Sequence, residues 1–310
     1  MSVSIAEYLG QRTDVNNPII EPVSFDNQEE NHLCPFTNGN PCKKIKSRKE
    51  PVCSLRENNN TLWINCPDRL CATKKNLPLC DHQANILYDI AKNLFSQNIR
   101  REQICVKREV QLSVIQGTKY KADYIMTLEG GRSPYPGPDR VILEMQGGGE
   151  SSETGKITRH IHEWRGNEIR TNIFLRQQTN ANTLETNAWR RQQEQFIVKG
   201  NIAMQTWKGY GMAFCVGTLL YDYIMNKLRN NYLPDLHQNN WTLALIGIKE
   251  QEVNEPQQGP IPLCVDRNRM LFTNYQTFVQ ALINQGVPSP NAFKGNFINL
   301  NNEPITINNN

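Results

Sequence analysis

Two stretches decide the reading of this chain: Tyr120-Lys121-Ala122-Asp123-Tyr124-Ile125-Met126-Thr127-Leu128 and Val141-Ile142-Leu143-Glu144-Met145-Gln146. Both are short, apolar and bounded by turn formers, so both are expected to be strands. The link between them, Gly130-Gly131-Arg132-Ser133-Pro134-Tyr135-Pro136-Gly137-Pro138, is a turn. A hairpin-like turn lets Asp123 lie across from Glu144. Glu144 and Gln146 are two residues apart, so they share a face of their strand. Two carboxylates and an amide then point at one place. Hard oxygen donors of this kind suit Mg²⁺, which can polarise a phosphoryl oxygen and activate water for phosphodiester hydrolysis. Glu144 is flanked by Val141, Ile142, Leu143 and Met145. A carboxylate in so apolar a strand costs free energy unless a metal or a partner satisfies it.

Working outward, Val106 to Ile115 alternates apolar and polar residues and reads as a third strand. Glu109 on that strand is a candidate further acid, although a surface charge is the plainer reading. Gln83 to Gln97 has helical spacing, with Asp81 as a plausible N-cap. Gly147-Gly148-Gly149 follows the second quoted strand and, lacking side chains, could let a backbone phosphate approach. Helical patterns dominate from about 155 to 230. Trp241 to Ile248 is a fourth strand, Tyr275 to Asn284 a final helix, and Asn301 to Asn310 a frayed tail. The order predicts an α/β fold, a mixed sheet with helices on both faces.

Nine cysteines are unevenly spread, six of them between Cys34 and Cys80. An odd count without an export signal argues against a disulfide framework. Cys34, Cys42, Cys53 and Cys66 are separated by seven, ten and twelve residues, so they form no standard zinc finger. Their segment has few aliphatic residues, and a tetrahedral metal site would hold it together. Iron and zinc are both chemically allowed. Cys71 and Cys80 compete as ligands. Cys105, Cys215 and Cys264 read as small buried hydrophobes. Three parts follow: an arm over residues 1–33, with a helical turn at Ile5 to Leu9; a Cys₄ metal-binding module over 34–80; and a main domain over 81–310.

Hydrophobic residues make up 38% and charged residues 21% of the 310, a globular composition that excludes wholesale disorder. The net charge of +4 permits a polyanionic partner without requiring one. No apolar run reaches membrane-spanning length, and Met1 to Gly10 has no basic leader, so a cytoplasmic location is expected. Arg159, Arg165, Arg170, Arg176, Arg190, Arg191, Lys199 and Lys208 are interleaved with Trp164, Phe174, Trp189 and Trp207, a pattern open to nucleic-acid contact or to an amphipathic helical face. Lys43, Lys44, Lys46, Arg48 and Lys49 form a second basic run. His160 and His162 diverge on a helix and make no metal pair.

An Asp followed by Glu-x-Lys on the next strand marks the PD-(D/E)xK nuclease group, and this chain resembles it. Here Gln146 stands at the lysine position and Ala122 precedes the aspartate. Several stretches together resemble the NotI family of rare-cutting type II restriction enzymes. They are Ile5-Ala6-Glu7-Tyr8-Leu9-Gly10-Gln11-Arg12, Cys34-Pro35-Phe36, Val52-Cys53, Cys66-Pro67-Asp68-Arg69, Ile142-Leu143-Glu144-Met145-Gln146, Trp189 and Gly200-Asn201-Ile202-Ala203. The likeness runs in order from about residue 5 to 217. It implies a PD-(D/E)xK nuclease core and a homodimer that cuts a palindromic, GC-rich site in double-stranded DNA with Mg²⁺. It further implies that Asp123 and Glu144 bind Mg²⁺ and that Gln146 positions water or phosphate. Cys34, Cys42, Cys53 and Cys66 would ligate a structural metal, iron rather than zinc, and a companion DNA methyltransferase is expected in the same system. Two other readings compete: a less specific repair or mobile-element nuclease of the same fold, and a catalytically inactive, metal-stapled DNA-binding protein.

Overall fold

The structure is a computed structural model, and it describes residues 2–25, 32–58, 60–70, 78–113, 117, 119–131, 133–148, 154–206, 210–284, 286 and 294–307. Strands β1 (Val3–Tyr8) and β2 (Gln11–Arg12) open the chain. Helix α1 (Lys43–Lys46), strands β3 (Val52–Glu57) and β4 (Thr61–Ile64), and helix α2 (Asp81–Leu94) follow. Next come β5 (Ile104–Ser113), β6 (Lys119–Leu128) and β7 (Arg140–Gln146). Helices α3 (Thr154–Gly166), α4 (Asn172–Leu175) and α5 (Glu185–Thr206) lead to β8 (Tyr210–Gly217) and α6 (Thr218–Leu228). The chain ends with β9 (Leu243–Glu250), β10 (Leu263–Thr273), α7 (Tyr275–Ile283), β11 (Gly295–Ile298) and β12 (Pro304–Ile307).

The main sheet has six strands in the order β10-β9-β8-β7-β6-β5. The β5-β6-β7 meander is antiparallel, β7-β8 and β8-β9 are parallel, and β9-β10 is antiparallel. The sheet is therefore mixed, as its sequence pattern suggests. Its two faces feed two cores. Met212, Phe214 and Val216 of β8 pack with Phe196 of α5, Leu220 of α6 and Phe278 of α7. Ala213 and Cys215 pack with the α2 residues Ile86, Leu87 and Ile90 on the other side. Helices thus cover both faces.

Strands β8 and β10 are absent from the sequence reading. Tyr210 to Gly217 falls inside the region read there as helical. It is the inner strand of two parallel pairs, buried on both faces, so it is a continuous apolar run with no period-two signal. The fourth strand lies at Leu243–Glu250, and α2 is capped by Cys80 rather than Asp81. The tail carries a hairpin: β11 pairs with β12, although most of its described side chains are exposed.

The largest departure concerns the N-terminus. Residues 3–8 form no helical turn and no arm. All six residues of β1 are buried, and β1 pairs with both β2 and β3 in a four-stranded antiparallel sheet β2-β1-β3-β4. Val3, Ile5, Tyr8, Val52, Leu55 and Trp63 join the same core as α3, α5 and α6. The cysteine segment therefore does not stand apart. The apolar surface it lacks is supplied by the main body.

A buried ion pair ties this sheet down. Glu7 and Arg69 are fully buried, and Arg69 Nη2 donates to Glu7 Oε1 at 2.7 Å. The same oxygen accepts from the Ile261 N–H at 2.7 Å, Ser54 Oγ donates to Oε2, and Arg69 also donates to the Ile261 carbonyl. Removing one partner of such a pair leaves a buried charge uncompensated, at a cost of about 3–5 kcal/mol. Glu7→Ala is expected to lower the free energy of unfolding by that amount, seen as a fall in the urea midpoint with the slope unchanged. A loss below about 0.5 kcal/mol, ordinary for a surface substitution, would contradict this packing.

Candidate active site and cysteine cluster

Strands β6 and β7 pair Tyr124 with Leu143, so Asp123 and Glu144 are the next residues on facing strands. Asp123 is half-buried, and its Oδ2 accepts the Met145 N–H at 2.8 Å. That bond fixes the aspartate against β7. Glu144 is 4% exposed. It shares a face with Ile142, which packs against Ala203 and Met204 of α5. From the same helix, Lys199 Nζ donates to Glu144 Oε2 at 2.7 Å. The other oxygen, Oε1, is buried and has no hydrogen-bond partner among the described residues. Burial, and then the Asp123 charge, push the Glu144 carboxyl up to about 8 against the pull of Lys199. Gln146 is half-buried at the end of β7.

The two predicted acids therefore come together, and a buried lysine joins them. Sequence reasoning placed Lys199 only in a basic series open to DNA contact. The available signal was its setting in the apolar stretch from Phe196 to Met204, and that does not reveal which way the ammonium points. Glu109 lies within β5 with φ of 44°, in a ladder that pairs Arg108 with Tyr124 and Val110 with Ala122. It is thus level with Asp123, in a backbone conformation that is strained for a non-glycine residue.

Gly147 and Gly148 do not form an open cradle. Both are buried, and the Gly148 N–H donates to the Ile64 carbonyl of β4 at 2.8 Å. A Cβ on Gly148 would fall inside the Trp63 indole, and one on Gly147 would clash with Ile64. The glycines let β4 approach the end of β7. Gly149 lies outside the described residues.

The aromatic series is mostly core. Trp164 and Trp189 are buried, and Phe174 stacks on His160, whose Nε2 is 2.9 Å from the Phe174 carbonyl. His162 points elsewhere, toward Glu50. Arg165 pairs with Glu50, Arg170 with Glu21, and Arg176 donates to Asn16. Arg159, Arg190 and Arg191 are exposed, whereas Trp207 and Lys208 lie outside the described residues. In the second basic run, Lys43 pairs with Asp68 and Lys44 donates to the Val52 carbonyl; Lys46, Arg48 and Lys49 are exposed.

Cys34, Cys42, Cys53 and Cys66 are buried in one cluster around Phe36. Three stand at turn or helix starts, and Cys53 lies in β3. The Cys66 N–H donates to the Cys53 carbonyl, and the Gly10 N–H donates to Cys53 Sγ at 3.2 Å. The hydrogen bond between Cys34 and Cys42 holds the Cys42 thiol down to about 6 and pushes Cys34 up. Burial raises Cys53 and Cys66, while Lys44 counteracts it at both. Among the described residues, no set of three or more His, Cys, Asp or Glu side chains is arranged to hold a metal ion as it stands. The four thiols are gathered but not closed into a ligand shell. Cys80 is committed elsewhere, in a reciprocal cap with Gln83 at the start of α2. Cys71 lies outside the described residues. Of the remaining cysteines Cys215 is buried as expected, but Cys264 is only half-buried and Cys105 is exposed.

No protein-family model matches this chain, and no curated protein matches it. No helix among the described residues is long and apolar enough to cross a membrane.

The contact of β4 with β7 is open to test. Gly148→Ala should cost about 1–3 kcal/mol through overpacking against Trp63. Thermal denaturation would show it, and an unchanged melting temperature would mean that the indole is not held there.

Proposed function

We propose that this chain is a Mg²⁺-dependent, sequence-specific endonuclease of double-stranded DNA, with a PD-(D/E)xK-type core and its site at Asp123, Glu144 and Gln146. One observation carries the reading: Glu144, buried beside a second carboxylate, keeps one oxygen without a partner among the described residues. The site also lies at the carboxyl end of a parallel strand in an open α/β sheet, where ligands of such sheets bind. Once Glu144 is ionised, Asp123 and Glu144 bring two negative charges against the single positive charge of Lys199, and a divalent cation suits that surplus and favours the ionised form. Their oxygens would hold Mg²⁺, which supplies Lewis-acid polarisation of a phosphoryl oxygen and makes bound water more acidic.

The chain's own residues do the rest. Asp123 is fixed by the Met145 N–H, so its geometry is set before any cation arrives. The Gln146 amide cannot take up a proton at neutral pH, so its part is to orient water or phosphate. Exposed Arg159, Arg190, Arg191, Lys46, Arg48 and Lys49 are free to neutralise phosphates. One site cuts one strand, so cutting both strands of a palindrome calls for a homodimer. A cell making such an enzyme needs its own sites masked, which is the place of a companion DNA methyltransferase.

The gathered thiols Cys34, Cys42, Cys53 and Cys66 are the natural ligands of a structural iron or zinc. Four soft donors would leave no open position for catalysis. Because the surrounding sheet shares the main core, such a metal would stiffen the segment locally.

Glu144→Ala and Glu144→Gln should each lower Mg²⁺-dependent cleavage on the order of a thousandfold, while gel shifts in Ca²⁺ keep DNA affinity close to native. Near-native cutting by both variants would remove Glu144 from the site. For the cysteines, elemental analysis of protein purified without added metal should find about one iron or zinc per chain, as one four-thiolate site requires. Cys34→Ser, Cys42→Ser, Cys53→Ser and Cys66→Ser should each lower that content, and Cys80→Ala should leave it unchanged. Full content in all four serine variants would exclude these ligands.

A further inference from the structure

Strand β7 offers no cation close to Glu144, since the position two residues on is Gln146. The cation arrives from α5 instead. Lys199 is 1% exposed, and its ammonium is bonded to Glu144 Oε2. Several contacts hold that part of α5 in place. Gly200 lies against the Tyr275 ring so closely that a Cβ there would clash with it. The Tyr275 hydroxyl donates to the Ile197 carbonyl, and Phe196 packs among Phe214, Tyr275 and Phe278. Ala203 and Met204 sit on Ile142, one step along the face from Glu144. Helix and strand are therefore locked together with the lysine between them.

We infer that Lys199 is the resting counter-ion of Glu144: it yields the carboxylate when a divalent cation takes it, and then remains as the positive charge beside the scissile phosphate. This rests on the nuclease reading above. The geometry argues for exchange rather than permanent pairing. Lys199 holds Oε2 but not Oε1, which is buried and has no partner among the described residues. A divalent cation drawn to Glu144 and Asp123 meets the ammonium at short range, and two like charges in a dry site repel strongly. Until then the lysine compensates a carboxylate that could not otherwise stay charged in an apolar strand. Lys199 is thus a positioning residue for the free enzyme, and the exchange frees its N–H donors.

The account requires metal affinity and cleavage rate to move in opposite directions. Lys199→Gln removes the competing charge, so calorimetry on the DNA-free protein should find Ca²⁺ bound about tenfold more tightly. The same variant should cut DNA on the order of a hundredfold more slowly in a single turnover at saturating Mg²⁺. A merely structural role would weaken both. In the native chain the slowly exchanging Nζ resonance of this buried ammonium should shift on Ca²⁺ addition, a readout that does not depend on any variant folding. An unmoved resonance at saturating Ca²⁺, or a folded Lys199→Gln protein that binds Ca²⁺ no more tightly than native, would overturn the inference. If the native chain takes up Ca²⁺ and Glu144→Ala does not, the metal reading survives that failure. A native chain that takes up no Ca²⁺ would overturn both.

Discussion

A carboxylate buried in an apolar strand is the constraint around which this molecule is arranged. Glu144 sits between Leu143 and Met145 in β7, flanked by β6 and β8, with α5 across its face. It is almost fully buried, so any charge on it must be compensated from within. The protein does so incompletely. Lys199 satisfies one oxygen, the second has no partner among the described residues, and Asp123 adds a like charge nearby. With Glu144 ionised, two negative charges would face one positive charge, an arrangement that does little for stability and that the proposed capture of a divalent cation would account for.

A second buried pair organises the N-terminal half. Glu7 and Arg69 join β1, the turn after Cys66 and the backbone at Ile261. Through β3 and β4 that assembly reaches the end of β7, because the Ile64 carbonyl accepts the Gly148 N–H two residues beyond Gln146. The cysteine cluster and the carboxylate site are thus connected through the small sheet and the backbone hydrogen bond from Gly148 to Ile64. Stiffening the cysteine segment would therefore also steady the end of β7.

Much of this was legible in the sequence, and the failures have physical causes. The meander β5-β6-β7 shows itself through alternation and a Gly/Pro-rich turn, and α2 and α7 through helical spacing. The placing of Asp123 across from Glu144 follows from the hairpin-like turn between their strands, and period-two geometry puts Gln146 on the Glu144 face. β8 was hidden because an inner parallel strand is apolar on both faces and carries no alternation. β1 was hidden because its polar members, Ser4 and Glu7, are buried, Glu7 being satisfied by partners far along the chain. For the same reason Lys199 read as one more basic residue: its significance lies in a contact across 55 positions. The glycine run was visible, but glycine serves close packing as readily as ligand approach, and only Trp63 and Ile64 decide between them.

The most direct test of the central claim is to incubate the purified native chain with a long, fully sequenced double-stranded viral DNA and map the ends. The account predicts discrete fragments whose termini share one palindromic sequence, formed with Mg²⁺ and absent with EDTA. DNA left intact at protein excess in Mg²⁺, or fragments with unrelated ends, would contradict it.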